Sequence, residues 1–240
     1  MIGRLAALLV ACTLVSSCSL HEYRYARKLR KAVAARVAEY GPAARARLAP
    51  WFAAAGLAYP PHSVVLAVFK QDRQLQLYAA GELETPRFVR AYPVLGASGT
   101  LGPKLAEGDR QVPEGIYRVE LLNPFSRYHL SLRLDYPNDF DRARGEEDGR
   151  TALGGDIMIH GSSGSRGCLA IGDVAVEDLF VLAADVGKEN VAIVVSPVDF
   201  RVTEPPTSIA SVPSWVPQLY AQLREAVWRL PLPPGSSDVR

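Results

Sequence analysis

Between Asp156 and Asp173 the chain reads D-I-M-I-H-G-S-S-G-S-R-G-C-L-A-I-G-D. Two apolar runs, Ile157-Met158-Ile159 and Leu169-Ala170-Ile171, bracket a loop of glycine and serine. Runs this short are strand-sized, and the loop joining them is too small and too glycine-rich to hold a helix. The stretch therefore reads as a strand end followed by a tight loop, with a second apolar run closing it. His160 ends the first run and Cys168 stands at the start of the second. An imidazole and a thiol set so close are the parts of an activated nucleophile. Gly164 and Gly167 let the backbone come close to a ligand. Backbone N–H groups near Cys168 can then face a developing oxyanion.

Cysteine usage sharpens this reading. The chain has three: Cys12, Cys18 and Cys168. The first two fall in an N-terminal segment with a basic residue, Arg4, an apolar core from Leu5 to Val15, and small residues at Ser16 and Ser17. Residues 1–17 read as a secretory signal, too short for a confident membrane span. Val15-Ser16-Ser17-Cys18 resembles a bacterial lipoprotein processing site, with Cys18 as the acylated residue; Cys12 fits the same loose pattern but would leave a very short signal. Processing would leave Cys168 as a lone thiol in an exported protein, which calls for a chemical explanation. A free thiol has a pKa of about 8.5, so little is thiolate at neutral pH and a nearby base is required. His160 is the natural candidate. His21 and His62 lie outside the expected core, and His129 follows a strand start where it can line the same cleft.

Other chemistries fit less well. A metal centre needs three or four ligands, and only His160 and Cys168 cluster. The Gly-Ser loop lacks the Gly-Lys-Ser/Thr ending and the following helix of a phosphate-binding loop. A net charge of +2 over 240 residues gives no argument for nucleic acid. Apolar content of 48% and charged content of 22% are those of a globular protein, and no internal repeat is present.

His21 to Ala55 reads as helical. Tyr23, Ala26, Leu29, Val33, Val37 and Tyr40 recur at steps of three and four. Gly41-Pro42 is expected to break the run, with a second helix over Ala43–Ala55. The segment is basic, with Arg24, Arg27, Lys28, Arg30, Lys31, Arg36, Arg45 and Arg47 against Glu22 and Glu39. It reads either as a surface attracted to anionic lipid or as the solvated face of a helix packed on the domain, and the second reading is taken here. Tyr59-Pro60-Pro61 marks the boundary to a mainly β region. Strands are expected at Val64–Phe69, Leu75–Tyr78, Val89–Val94, Ile116–Leu121, Leu130–Leu134 and Val191–Val195, with a hairpin turn at Lys70–Gln74. Gly96–Gly115 and Asp135–Gly155 read as long loops, which in compact domains are often functional. Asp173 is a fair N-cap for a helix with Val176, Leu179, Phe180 and Ala183 on its apolar face and Gly187 as its stop. After a proline-rich stretch from Thr203, a last helix over Gln218–Leu230 presents Leu219, Leu223, Val227 and Leu230; residues Pro231–Arg240 are expected to be disordered.

The ordered set of short motifs resembles the L,D-transpeptidase catalytic domain (YkuD-type) family. It comprises I-M-I-H-G…S-x-G-C itself, Leu101-Gly102-Pro103-Lys104, Gly108-Asp109, Pro113-Glu114-Gly115, Ser126-Arg127-Tyr128 and Tyr136-Pro137-Asn138 with Asp141-Arg142-Ala143. The eight positions from His160 to Cys168 are the spacing of the family's short-loop branch. The resemblance covers roughly Val64 to Pro197 and implies an α+β, mainly β fold: a bent β-sandwich or barrel with flanking helices at both ends. The implied organisation is residues 1–17 as a lipoprotein-type signal, 18–60 as a basic helical segment, 61–200 as the catalytic domain and 201–240 as a proline-rich tail with one helix.

By the same resemblance, Cys168 is the nucleophile and His160 the general base and acid. The Gly161 carbonyl orients the histidine in place of an acidic triad member. The backbone around Arg166, Gly167 and Cys168 supplies the oxyanion donors. Arg166, Ser165, Tyr128, Lys104 and Asn138 match positions expected to hold substrate. Many members carry a histidine where this chain has Arg166, and a guanidinium there suits a substrate carboxylate. The implied reaction is attack on the L-centre of the third residue of a peptidoglycan stem tetrapeptide, loss of the terminal D-alanine, and transfer of the acyl group to an amine of another stem or of a wall-anchored protein. Two rivals stand beside it: a hydrolase of the same fold that releases wall-attached protein, and a non-catalytic wall-binding lipoprotein. No cofactor, metal or nucleic acid is implied, and the location is exported, periplasmic and membrane-anchored through Cys18.

Overall fold

The computed structural model describes residues 2–205 and 212–236, with the side chains of the first helix described from Glu22 onward. The acylation and signal readings for residues 1–18 thus concern side chains outside the described residues, as does the end of the tail after residue 236. No helix among the described residues is long and apolar enough to cross a membrane.

Helix α1 spans Ile2–Ala54 without interruption. This corrects the expected break at Gly41-Pro42. Proline fixes φ near the helical value and forfeits one hydrogen bond. The loss is outweighed where one side of the helix is buried, and here Ala44, Leu48 and Phe52 are fully covered by the domain. Arginines from the same stretch tie α1 down. Arg45 donates through Nε and Nη2 to Asp185, at 2.8 and 2.7 Å. Arg47 donates to Asp178 at 2.7 Å and to Glu177 at 2.9 Å.

Among the described residues nine strands follow: β1 (Ser63–Phe69), β2 (Gln74–Ala80), β3 (Arg87–Pro93), β4 (Gly96–Ala97), β5 (Gly115–Asn123), β6 (Ser131–Leu134), β7 (Met158–His160), β8 (Leu169–Ala170) and β9 (Val191–Ser196). They form one sheet in the order β3-β2-β1-β9-β5-β6-β7-β8-β4. Most neighbours are antiparallel; β1/β9 and β7/β8 are parallel. The first half of β5, Gly115–Arg118, pairs with β9, while Val119–Asn123 pairs with β6. The register slips between Val119 and Leu121, and such a bulge bends the strand from one half of the sheet into the other. The result is the mainly β, bent α+β fold expected.

Among the described residues three more α-helices follow: α2 (Asp139–Glu147), α3 (Asp173–Val186) and α4 (Val216–Trp228), with a 3-10 turn at Lys188–Asn190. The inner core joins Leu48 and Phe52 of α1 and Val176, Leu179, Phe180 and Ala183 of α3 to the sheet. A second cluster, built from Phe69, Tyr78 and Val194 of the sheet, is covered by Leu219, Leu223 and Val227 of α4. Burying a side chain of this size contributes about 1.5–3 kcal/mol. Arg201 donates to the carbonyls of Leu230 and Pro231 and ties the start of the tail to the domain.

Both stretches that read as long loops contain structure. β4 is two residues long and exists only through its pairing with β8. α2 is capped by Asn138, whose side chain accepts from Asp141 N while the Asp141 carboxylate accepts from Asn138 N. The loop Gly96–Gly115 is anchored by buried Glu114, which pairs with Lys70 at 2.9 Å and accepts from Gly102 N at 2.7 Å and from the Tyr220 hydroxyl of α4 at 3.0 Å. Both carboxylate oxygens thus have donors, which is what a buried charge requires.

Candidate active site

β7 and β8 run parallel with Ile159 opposite Leu169 and His160 opposite Ala170. Side chains alternate across a sheet. His160 and Ala170 therefore share one face, and Cys168 stands immediately before β8 in the chain. The parallel pairing of β7 with β8 thus sets the strand that ends in His160 beside the strand that Cys168 leads into.

His160 is 2% exposed. Its Nδ1 lies 2.6 Å from the carbonyl oxygen of Gly161. A carbonyl only accepts, so Nδ1 carries the proton and Nε2 is left with its lone pair. The ring stacks on Tyr128, with centroids 4.6 Å apart and planes at 28°. Burial pushes the imidazole pKa down, with the Gly161 hydrogen bond opposing. Burial thus favours the neutral form of the ring.

Gly161 is held on all sides. A Cβ there would lie 2.4 Å from Asp173 Oδ1, 2.7 Å from the Tyr128 carbonyl oxygen and 3.1 Å from His129 Cβ. Only glycine lets the chain pass so close. The Asp173 carboxylate accepts from Ser162 N at 2.7 Å. The expected cap of α3 by Asp173 is corrected here: Gly172 occupies the cap position, with no side-chain cap. The carboxylate has turned away from the helix to tie the loop after His160.

Cys168 is half-buried and unpaired. Its Sγ donates to the Asp156 carbonyl at 3.6 Å. Burial pushes the thiol pKa up, partly opposed by the Met158 backbone. Burial thus disfavours the charged form of both groups. An expected consequence is that alkylation of Cys168 by iodoacetamide, followed by peptide mass spectrometry, rises through a midpoint above the ordinary thiol range. A rate already on its plateau at about pH 6 would overturn this and indicate a preformed thiolate.

The loop that carries Cys168 is tied in two places. Gly167, at φ +91°, donates its N–H to Ser98 Oγ at 2.5 Å, and Ser98 in turn donates to the Arg110 carbonyl at 2.7 Å. Ser165 Oγ accepts from Cys168 N at 3.1 Å and donates to Cys168 O at 2.5 Å. Four non-glycine residues around the site, Arg110, His129, Asp156 and Ser162, take positive φ between 54° and 70°. Such strain persists only where surrounding contacts hold it, and it gathers at functional sites.

Cys168 opens into a cleft of about 440 Å³ lined by Lys104, Arg110, Asp156, Arg166 and Gly167 among others. Lys104 is buried and bound to Asp109 at 2.5 Å and to the Ala106 carbonyl at 2.8 Å. Its charge shapes the cleft wall, while Arg166 lies exposed at the rim. Asn138 is not brought to the cleft; its side chain caps α2, and its amide donates to the Ile116 carbonyl. His129 does not line it either. Its Nε2 meets Glu177 of α3 at 2.9 Å and its ring meets Tyr40 of α1 edge-on. Ser98 and Asp173 are site-building residues that sequence reasoning misses. Asp173 closes the motif stretch and Ser98 sits in a run of small residues, but neither has a local signal that names its partner.

A family model described as YkuD, L,D-transpeptidase catalytic domain, matches residues 63–198, more than half of the chain. Among curated proteins, YafK of Escherichia coli (strain K12), which its name assigns provisionally as an L,D-transpeptidase, is 34% identical over 146 residues. The match covers 59% of this chain and 56% of that protein, so the chain spans a little over half the length of its relative. Among solved structures, the helical cell shape determining protein Pgp2 from Campylobacter jejuni aligns at 25% identity and a TM-score of 0.46, covering 59% of this chain and 50% of that one. Bd1075 of Bdellovibrio bacteriovorus aligns at 21% identity and a TM-score of 0.40, covering 72% and 56%.

Proposed function

The chain belongs to the family of YkuD-type L,D-transpeptidase catalytic domains, and we propose that it is a cysteine-dependent L,D-transpeptidase acting on peptidoglycan stem peptides through an acyl-thioester at Cys168. One observation carries this reading. The Gly161 carbonyl holds the proton of His160 on Nδ1, leaving Nε2 as a free base, and the strand that His160 ends pairs directly with the strand that the free thiol of Cys168 leads into.

In this reading the Cys168 proton passes to His160 Nε2 as Sγ attacks the carbonyl carbon at the L-centre of the third stem residue. The carbonyl oxygen becomes an oxyanion. It competes for the N–H of Gly167, which the neutral Ser98 hydroxyl holds at rest. A charged acceptor forms roughly twice as strong a hydrogen bond as a neutral one, so the oxyanion displaces the hydroxyl. The C–N bond then breaks, and the departing D-alanine amine takes the proton from His160. An acceptor amine attacks the thioester, losing its proton to His160, and the thiolate leaves and is reprotonated. Tyr128 stacks on the imidazole and keeps its plane fixed through both half-reactions. Ser165 holds the Cys168 backbone, Lys104 holds the cleft wall, and Arg166 takes a substrate carboxylate at the rim. Because peptidoglycan lies outside the cytoplasm, the reading includes export to the periplasm, with acylation at Cys18 as the anchor.

The test is direct. The protein is incubated with purified disaccharide-tetrapeptide and the products are read by mass spectrometry. Cross-linked dimers lacking one D-alanine per linkage are expected. Tripeptide alone would replace transfer by hydrolysis, with protein-bearing peptidoglycan as the next substrate. No turnover of either substrate would overturn the reading.

A further inference from the structure

The basic N-terminal segment divides in two. Arg36, Arg45 and Arg47 are each neutralised by a carboxylate, from Glu39, Asp185, and Glu177 with Asp178 respectively. Among the described residues, Arg24, Arg27, Lys28, Arg30 and Lys31 form no ion pair, and all five are exposed. The solvated-face reading thus accounts for the second half of α1 as a packed and paired surface, and leaves the first half unexplained.

The first half is ordered in space. Arg24, Arg27, Lys28 and Lys31 stand at i, i+3, i+4 and i+7, which is a single helix face. Val33, Val37 and Tyr40 belong to the opposite face, and they pack against the core. The domain therefore sits on one side of α1 and the cationic stripe faces away from it. Large apolar groups flank the stripe in the open: Tyr23 is 61% exposed, Tyr25 56% and Phe125 55%. Lys28 Nζ lies 5.8 Å above the Phe125 ring. Beside it a cavity of about 390 Å³ has Leu29, Val33, Leu121 and Leu122 as its walls, with Arg30 and Lys188 among the lining residues.

We propose that this face of α1, together with Phe125, is a peripheral docking site for an anionic phospholipid bilayer. Cations at this density are drawn to the negative surface potential of such a bilayer. Exposed tyrosines beside them suit the headgroup boundary, with an apolar ring body and a wet hydroxyl, and Phe125 suits the acyl side of that boundary. An apolar cavity with cations beside it matches an amphiphile, which a soluble polyanion is not. The site does not depend on the transpeptidase reading or on an acyl anchor. Its effect is to lay α1 along the membrane with the domain outward.

The experiment uses the full chain carrying Cys18→Ser, so that no acyl group contributes. Co-sedimentation is measured with vesicles of phosphatidylcholine alone and of phosphatidylcholine doped with phosphatidylglycerol. Binding to the anionic vesicles is expected to exceed binding to the neutral ones and to weaken as salt is raised. The quadruple variant Arg24→Gln, Arg27→Gln, Lys28→Gln, Lys31→Gln should bind the anionic vesicles about a thousandfold more weakly. Its circular dichroism should be unchanged, since glutamine is a good helix former. Phe125→Ser should weaken vesicle binding and leave binding to heparin, a soluble polyanion, as it was. Equal binding to both vesicle types, or an anionic-vesicle affinity that survives the quadruple change, would overturn the proposal. Heparin binding as tight as vesicle binding, with Phe125→Ser affecting neither, would overturn it in favour of a soluble polyanion.

Discussion

Replacing Cys168 by alanine is expected to lower turnover of a stem tetrapeptide by about ten-thousand-fold or more, equivalent to about 5.5 kcal/mol of transition-state stabilisation. The sulfur is the group that becomes covalently bound in the proposed reaction, and it is the one free thiol among the described residues. What remains after its removal is binding and the backbone donors, which alone give far slower reaction. The fold should be unaffected. Cys168 is half-buried at the edge of a cleft, and its side chain makes one long sulfur hydrogen bond. Two readouts decide the matter together. Thermal unfolding of Cys168→Ala should match that of the parent, and intact-mass spectrometry should show the acyl adduct in the parent and lose it in the variant. Turnover above about one part in a hundred in a folded Cys168→Ala protein would remove Cys168 from the mechanism.

Gly161→Ala is expected to reduce kcat by about a hundred- to a thousand-fold while leaving KM within a few-fold. The added methyl would meet the Tyr128 carbonyl oxygen at 2.7 Å and Asp173 Oδ1 at 2.4 Å. The carboxylate can swing aside only by releasing the N–H of Ser162. The Tyr128 carbonyl belongs to the backbone and moves only with its loop, which also carries the ring stacked on His160. Either adjustment shifts the Gly161 carbonyl that fixes Nδ1, and misplacing a general base by about 1 Å can cost about a hundredfold. Overpacking of this kind also destabilises by about 1–3 kcal/mol. The measurement is steady-state kinetics at a temperature where calorimetry shows the variant folded. A folded Gly161→Ala protein with kcat within about threefold of the parent, on the order of the scatter of such measurements, would show that the Gly161 carbonyl does not position the base.

Much of this architecture is written locally. The runs Val64–Phe69, Leu130–Leu134 and Val191–Val195 became β1, β6 and β9 because a stretch of β-branched and aliphatic residues of that length is buried most readily as a strand. The face Val176, Leu179, Phe180 and Ala183 became the buried side of α3 for the same periodic reason. His160, Gly161, Cys168 and the loop between them lie close in sequence, so a linear reading collects them. Asn138 and Asp141 are a capping pair three residues apart, a local pattern that signals the start of α2.

Other features have no local signal to read. β4 is two residues whose only reason to be a strand is Leu169-Ala170, far down the chain. α1 passes through Gly41-Pro42 because the sheet and α3 bury its other side, and no window of sequence around a proline contains that surface. Ser98 is one serine among several until the fold lays it against Gly167. Lys31 and Arg47 make the same point. Both are cations in one basic helical run, yet Glu177 and Asp178, 130 and 131 positions beyond Arg47, neutralise Arg47 and leave Lys31 exposed. Candidate nucleophile, candidate base and the rhythm of strands and helices can be read from the linear chain, because each is expressed over a few residues. Which donors, charges and faces are occupied follows only from the folded molecule, because occupancy depends on partners that folding alone brings within a few ångströms.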